Sequence, residues 1–258
     1  MIARFHFAGA ERRVDLGAGT SLAIPIDRDG QHPRFFVDRQ VRFEPLAIGN
    51  FTGRVATGGS CNAEIITFIP HCHGTHTEGA GHITGTAEAV QETLAPGLIS
   101  AALISVTPTH EHVETSVGTG PVITAAAMDW PEGVQALIIR TLPNDPAKCR
   151  LDYAASPPYP LLSAEAMAKL VEAGIEHLLI DTPSVDAADD SGRLRQHRSF
   201  WGMGTGDERP AERRAACTIT EMIYAPNELT DGLFLLSLGV SALRGDASPS
   251  APVVFRMQ

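Results

Sequence analysis

The sequence lacks any apolar run long enough to span a membrane, and no charged-then-apolar stretch after Met1 indicates a signal peptide. Cysteines are few: Cys61, Cys72, Cys149 and Cys217 are scattered and form no Cys-x-x-Cys pair. That pattern is typical of a reducing compartment, so we expect a cytoplasmic protein.

Positive charge is also scarce. The chain has 20 lysines and arginines against 30 aspartates and glutamates, a formal charge of −10. This balance argues against nucleic acids and anionic membranes as partners and favours a small-molecule substrate.

Two familiar hydrolase motifs are absent. No Gly-x-Ser-x-Gly occurs, so the sequence indicates no nucleophile elbow of an α/β-hydrolase. The run Pro108–Glu114 contains His110-Glu111-His112, in which the second histidine comes too early for His-Glu-x-x-His. We expect this run to be a solvated loop.

The order of elements predicts an α/β fold. With 258 residues, 43% of them hydrophobic, the chain can bury about three quarters of its unfolded surface. Ser163 and Gly174 delimit a helix within residues 160–174. Apolar runs predict a hairpin over residues 2–16 and strands at 20–26, 63–69, 98–106, 135–140, 175–180, 217–224 and 233–238, with a short helix at 123–128 and a proline-containing tail. The expected fold is a mixed β-sheet flanked by few helices.

The chain is organised around Pro70–His82, which holds four of the ten histidines. It follows Ala63–Ile69, which is predicted to be a buried strand. If the strand stays extended past Pro70, its period of two puts alternate residues on one face: Cys72, Gly74, His76 and Glu78. Thiolate, imidazole and carboxylate together suit a divalent transition metal. The alternative is a polar turn whose histidines satisfy one another and the backbone.

Two residues far downstream are candidates to complete such a site. His197 is predicted to lie in a polar loop after a strand, and Glu221 interrupts the apolar run Cys217–Tyr224. A buried carboxylate is costly unless it is paired or bound to metal. The alternatives are a surface histidine and a glutamate on the exposed face of an edge strand. Phe35, Phe36, Trp201 and Tyr224 are candidates to line a substrate pocket or to belong to the core.

The central run resembles the signature of a known family. Cys72-x-Gly74-Thr75-His76-x-Glu78-x-x-x-His82 is similar to HxGTHxDxPxH of the cyclase family, which includes bacterial kynurenine formamidase (arylformamidase) and isatin hydrolase. Weaker resemblance extends, in the family's order, to Leu137–Thr141, Gly174–Asp181, Ser184, His197 and Thr220-Glu221.

The resemblance implies a metal-dependent hydrolase of C–N bonds other than peptide bonds. It implies one compact domain over residues 1–258, of the swivelling β/β/α type, in a homodimer or homotetramer. Residues 1–50 would form an N-terminal hairpin or arm that packs on the core or on a partner subunit. The implied metal ligands are Cys72, His76, Glu78, His197 and Glu221, with Glu78 bridging two zinc ions. His82 would be the catalytic acid and base.

The sequence departs from the family pattern at two ligand positions. Cys72 stands where the family usually has histidine, and Glu78 where it usually has aspartate. A thiolate would favour zinc over manganese, and one ion could bind in place of two. With the register shifted by one residue, His71 would replace Cys72. A metal-binding or ligand-binding protein without hydrolase activity is the alternative function, and a lyase on the same site is a third.

Overall fold

The structure, a computed structural model, describes residues 1–85, 88–95, 97–109, 120–156 and 158–258. Residues 110–114 of the predicted loop Pro108–Glu114 lie outside these ranges. The strands are β1 Ile2–Phe7, β2 Ala10–Asp15, β3 Thr20–Ser21, β4 Arg42–Pro45, β5 Ala47–Ile48, β6 Phe51–Thr52, β7 Glu64–Thr67, β8 His76–Glu78, β9 Ile99–Val106, β10 Val122–Ile123, β11 Ala136–Thr141, β12 Leu161–Leu162, β13 His177–Ile180, β14 Thr218–Glu221, β15 Gly232–Val240 and β16 Ala247–Arg256. The helices are α1 Val90–Thr93, α2 Ala164–Glu172 and α3 Arg195–Phe200.

Seven of these strands close into a barrel-like ring. Their order is β15-β9-β11-β13-β14-β8-β16, and β16 pairs with β15 to complete the circle. The neighbours from β9 to β14 are parallel, and the remaining pairs are antiparallel. The predicted α/β fold with a mixed sheet and few helices is therefore confirmed.

The ring has an apolar interior and an apolar outer face. On β11, Ile138 packs inward with Leu103 and Phe234, whereas Leu137 and Ile139 pack outward. The outer cluster includes Met167 and Leu170 of α2, Phe200 of α3 and the adjacent Trp201. Strands covered on both faces read as continuous apolar runs, which is why β9, β11 and β13 could be predicted.

The predicted helix is confirmed in its core. The Ser163 side chain accepts a hydrogen bond from the backbone N–H of Ala166, and Gly174 follows the helix with φ +76°. The predicted hairpin at residues 2–16 is present as β1 paired with β2. No helix in the described ranges is long and apolar enough to cross a membrane.

Several local predictions are wrong. The tail forms the ten-residue strand β16, and residues 123–128 form the end of β10 and a 3₁₀ turn. His197 lies in α3, not in a loop. Strand β7 exists but is not buried, because it pairs with β4 alone and leaves Ile65 and Ile66 about half exposed.

The extended row past Pro70 is also wrong. Residues Pro70–Cys72 form a 3₁₀ turn, Gly74 has φ +68°, and the strand resumes only at His76. Alternation of side chains therefore holds for His76 and Glu78 but does not extend back to Cys72.

Candidate metal centre

The backbone around β8 sets the first part of the site. His76 and Glu78 are two residues apart on one strand, and Glu221 of β14 pairs with His76 in antiparallel register. Between them, Thr77 points the other way and its hydroxyl lies 2.8 Å from that of Thr220. The three functional side chains therefore share the outer face of the ring, where α3 packs.

The Gly74-Thr75 pair fixes the turn that leads into β8. The Thr75 hydroxyl donates to the Met222 carbonyl at 2.5 Å and accepts from the Ile24 amide at 2.7 Å. A Cβ on Gly74 would lie 3.2 Å from the Ile24 carbonyl oxygen, and its φ is positive. These two residues of the motif are therefore structural rather than chemical.

Glu78 is the centre of the cluster, and its side chain is almost entirely buried. His197 Nε2 lies 2.9 Å from its Oε1, while His71 Nδ1 and His82 Nε2 lie 3.0 Å and 3.8 Å from its Oε2. Despite these distances, neither Glu78 oxygen accepts a hydrogen bond of acceptable geometry. His76 Nε2 has no hydrogen-bond partner of acceptable geometry either. Buried polar atoms without hydrogen bonds are rare in folded proteins and require an explanation.

The outer nitrogen of each imidazole faces an acceptor. His76 Nδ1 lies 3.2 Å from the Gly74 carbonyl oxygen, and His197 Nδ1 lies 2.6 Å from Asp186 Oδ2. His71 Nε2 and His82 Nδ1 both face Asp246 Oδ2, at 2.8 Å and 3.4 Å. An N–H donated outward leaves the inner nitrogen with a free lone pair, which is the tautomer that a metal ligand needs.

Asp186 holds His197 in two ways. Its carboxylate accepts from the backbone amides of Gln196 and His197 at the start of α3, at 2.9 Å and 3.1 Å, as well as from the His197 ring. The helix start and the imidazole orientation therefore depend on one side chain. Trp201 lies behind the ring, with centroids 5.9 Å apart.

Ionisation in the site is strongly perturbed. Burial lowers the pKa of His71, but Asp246 and Glu78 outweigh it and raise that pKa from 6.5 to about 10. Burial likewise lowers the pKa of His197, yet Glu78 and Asp186 hold it well above its ordinary range. Burial raises the pKa of Glu78, but the charges of His82 and His197 hold it well below its ordinary value. Without a cation, protons compensate the buried carboxylate, and a metal would take their place.

Two overlapping sets of side chains fit a divalent cation. His71, His76 and Glu78 bring their ligand atoms within 4.8 Å of one another, and so do Glu78, His82 and His197. Glu221 borders both sets, because its oxygens lie 3.5 Å from His76 Nε2 and 3.8 Å from His197 Nε2. Imidazole and carboxylate ligands suit zinc and other first-row metals, and the unpartnered atoms of Glu78 and His76 fit a cation between them.

The structure brings together five of the six residues suggested by the sequence. Their side chains form one cluster, buried except for the partly exposed His82: His76, Glu78, His82, His197 and Glu221. Cys72 is buried, and burial raises the pKa of its thiol, but none of the three-ligand sets found among the described residues includes it. The neighbouring His71 joins the cluster because the 3₁₀ turn rotates it toward Glu78.

Asp186 and Asp246 were not recognised from the sequence. Asp186 follows the end of β13, a position typical of functional polar residues, so its place in the chain carried some signal. Asp246 lies 175 residues from His71, within Arg244-Gly245-Asp246, which indicates only a turn.

A cavity of about 530 Å³ opens onto the cluster. His71, His82 and His197 lie in its wall together with Phe35, Phe36 and residues 183–184 and 186–192 of the loop before α3. Its volume is in the range of small-molecule sites. Phe35 and Phe36 therefore line a pocket as predicted. Trp201 is fully buried in the core, and the lining of this cavity includes neither Trp201 nor Tyr224.

Comparison with known proteins places this geometry in a family. A family model described as "Putative cyclase" matches residues 20–187. A predicted metal-dependent hydrolase from Bacillus stearothermophilus is similar in structure, with TM-score 0.59, 17% identity, and coverage of 92% of this chain and 98% of that one. An isatin hydrolase bound to the product analogue thioisatinate has TM-score 0.60, 14% identity, and coverage of 93% and 92%. Isatin hydrolase A from Labrenzia aggregata, bound to benzyl benzoate, has TM-score 0.60, 15% identity, and coverage of 93% and 94%. A search of curated protein sequences gave no match.

Proposed function

Because the chain belongs to the cyclase family, we propose that it is a metal-dependent hydrolase that cleaves the amide bond of a small aromatic formamide or lactam. The observation that carries this proposal is the set of unpartnered buried atoms on Glu78 and His76, which three further imidazoles and a second carboxylate surround. A cluster built only for stability would pair those atoms.

The side chains divide into ligands and a proton carrier. We assign His71, His76 and Glu78 to one cation, and Glu78, His197 and Glu221 to a second where two bind. A bound divalent cation supplies Lewis acidity and lowers the pKa of water from 15.7 to about 7. Zinc fits these ligands, and manganese is the alternative.

His82 is suited to move protons. Its side chain is 26% exposed and lies in the wall of the cavity, whereas those of His76 and His197 are almost fully buried. With Nδ1–H directed at Asp246, its Nε2 can accept a proton from the attacking water and deliver it to the leaving nitrogen. Glu78 and His197 keep their positions during this transfer because the strand and α3 hold them.

The cavity favours an aromatic substrate. Phe35 packs edge-to-face on Tyr159 with ring centroids 5.7 Å apart, which fixes it in the wall, and Phe36 lies 6.0 Å from Phe35. Flat rings at the mouth of a small cavity suit a planar aryl group. Isatin, a lactam, is the substrate named for two of the similar structures, and N-formylkynurenine is the formamide that the sequence resemblance suggests.

The test is hydrolysis of isatin and N-formylkynurenine before and after removal of metal by a chelator. We expect turnover that disappears on chelation, returns with Zn²⁺ or Mn²⁺, and is abolished in His76→Ala. His177→Ala, which changes another buried histidine outside the cluster, is the matched control and should remain active. Full turnover by metal-free protein would refute the proposal, and metal binding without turnover on any amide, lactam or ester would favour a binding protein.

A further inference from the structure

Two of the histidines form a stacked pair between two carboxylates. The rings of His71 and His82 lie with centroids 4.1 Å apart and planes 30° from parallel. Each ring has one nitrogen toward Glu78 Oε2 and the other toward Asp246 Oδ2. Of these four residues, only Asp246 lies outside residues 20–187, which the family model matches.

A third cation held by His71, His82 and Asp246 is disfavoured, although their ligand atoms lie within 4.8 Å of one another. In the assignment above, the inner nitrogen of His71 binds metal and that of His82 carries the proton. A third cation on the outer nitrogens would require both nitrogens of His71 to bind metal, and therefore a deprotonated imidazole. An aspartate that accepts from His71 Nε2 and lies 3.4 Å from His82 Nδ1 instead turns the inner nitrogen of each ring toward Glu78.

We propose that Asp246 is a positioning residue that orients His71 as a metal ligand and His82 as the proton carrier through one shared carboxylate oxygen. The proposal rests on the hydrolase function argued above. Cys72 stands where the family usually has a histidine ligand. In this proposal His71, held by Asp246, supplies the imidazole from the neighbouring position.

The backbone fixes Asp246 in the place this role requires. Its carbonyl oxygen accepts from the Gly79 amide at 2.9 Å, and the next residue, Ala247, pairs with Glu78 in the ladder between β8 and β16. A Cβ on Gly81 would lie 3.4 Å from the Asp246 Cβ and 2.6 Å from the Glu88 carbonyl oxygen. The missing side chain at Gly81 therefore lets the turn that carries His82 pack against the Glu88 backbone, beside Asp246.

The test measures Co²⁺ affinity by competition with a chelator, together with the visible spectrum of the Co²⁺ protein, for Asp246→Ala and Asp246→Asn. We expect Asp246→Ala to lose affinity by about 10–100-fold and to alter the spectrum, since the carboxylate behind a ligating histidine has effects of that size. Asp246→Asn keeps the shape and one acceptor oxygen, so its loss should be smaller. In an active preparation, kcat should fall while KM changes little, because Asp246 does not line the cavity described above.

Two controls separate positioning from a general loss of structure. Asp231→Asn removes a carboxylate that pairs with Arg140 and lies away from the cluster. Its exposure matches that of Asp246, because 45% of the Asp231 side chain is exposed against 42% for Asp246. Asp231→Asn should leave affinity and spectrum unchanged. In His71→Ala protein, the additional change Asp246→Ala should lower Co²⁺ affinity little further, because the ligand that Asp246 orients is already absent.

The outcomes distinguish this inference from the proposed function. If wild-type protein binds Co²⁺ and Asp246→Ala keeps its affinity, spectrum and kcat, the role of Asp246 is wrong and the hydrolase stands. An undiminished loss of affinity in the His71→Ala background also overturns the role. If wild-type protein binds Co²⁺ and hydrolyses no substrate, the function fails while the affinity measurements still decide the role of Asp246. Failure of wild-type protein to bind any cation overturns both.

Discussion

Glu78 is a carboxylate taken almost completely out of water, and burial of an unpaired charge costs several kcal/mol. Three imidazoles approach it closely, and chiefly His82 and His197 hold its pKa below its ordinary value against the effect of burial. Both of its oxygens face other candidate ligand atoms rather than hydrogen-bond donors of good geometry, and in our proposal this side chain would link the two cation positions.

The proposed replacement of Cys72 by His71 as a metal ligand can be tested by changing each residue in turn. His71→Ala should lower Co²⁺ affinity by tenfold or more, because it removes one of three ligands from its set, whereas Cys72→Ser should change it little. The Co²⁺ spectrum of wild-type protein should lack the charge-transfer band of a cobalt–thiolate bond. Strong loss of affinity in Cys72→Ser, together with such a band, would return the ligand role to Cys72.

At the scale of elements, β13 carries a buried histidine unrelated to the metal. His177 Nδ1 lies 2.9 Å from the Thr218 hydroxyl of β14, and burial, with a smaller contribution from Arg214, lowers its pKa below 6.5 although Glu176 opposes this. The unfolded chain then binds a proton at a pH where the folded chain does not. Stability contributed by neutral His177 is thus present above pH 6.5 and is lost as the pH falls below it.

We therefore expect the unfolding free energy of metal-free protein to fall more steeply with acid in wild type than in His177→Gln. The difference below pH 6.5 should approach about 1.4 kcal/mol per pH unit for one proton. Denaturant titrations at several pH values measure it. Ile175→Val, which changes no titrating group, should shift stability equally at every pH; parallel pH profiles for wild type and His177→Gln would contradict the assignment.

The segment between β3 and β4 carries the aromatic wall of the cavity. The Phe35 amide donates to the Cys72 carbonyl at 3.0 Å, and Arg34 forms an ion pair with Asp152. Phe36 is 71% exposed and adopts φ +66°, a conformation that costs a phenylalanine about 1–3 kcal/mol. Because this large apolar side chain is held in such a conformation at the rim of the cavity, we expect it to contact substrate.

Phe36→Ala should lower kcat/KM for an aromatic amide by about tenfold, mainly through KM, because one ring contact is worth about 1 kcal/mol beyond its buried area. Stability should change little, since the side chain is exposed. Ile48→Ala, which removes a side chain of similar exposure on β5, is the control and should leave kcat/KM unchanged. Equal losses for aromatic and aliphatic amides would show that Phe36 does not contact the aryl group.

Over the whole molecule, the sequence predicts what depends on local pattern. Strands β9, β11 and β13 are apolar runs, and α2 has Ser163 and Gly174 at its ends. Strand β16 was missed because Pro249 and Pro252 argue against a strand inside a sheet. Those two residues pair with His76 and Leu238 in the ring nevertheless.

The candidate ligands likewise divide into those that the sequence predicts and those that it does not. His76 and Glu78 follow from strand alternation, His197 and Glu221 are candidates from their local pattern that the resemblance to a family supports, and the role of His82 follows from that resemblance. His71 could not be selected over Cys72, because the choice depends on a 3₁₀ turn that the extended pattern does not predict. Asp246 meets His71 only after the chain has closed the ring, so no local signal marks it.

The claim that a buried histidine and glutamate cluster holds divalent metal is tested most directly by metal content per chain in wild-type protein and in Glu78→Gln. The variant keeps the shape of a side chain that belongs to both cation sets. Elemental analysis after reconstitution and dialysis should find one or two ions in wild type, the same number in the exposed control Glu176→Gln, and almost none in Glu78→Gln. Equal metal in wild type and Glu78→Gln, or none in wild type, would contradict the account.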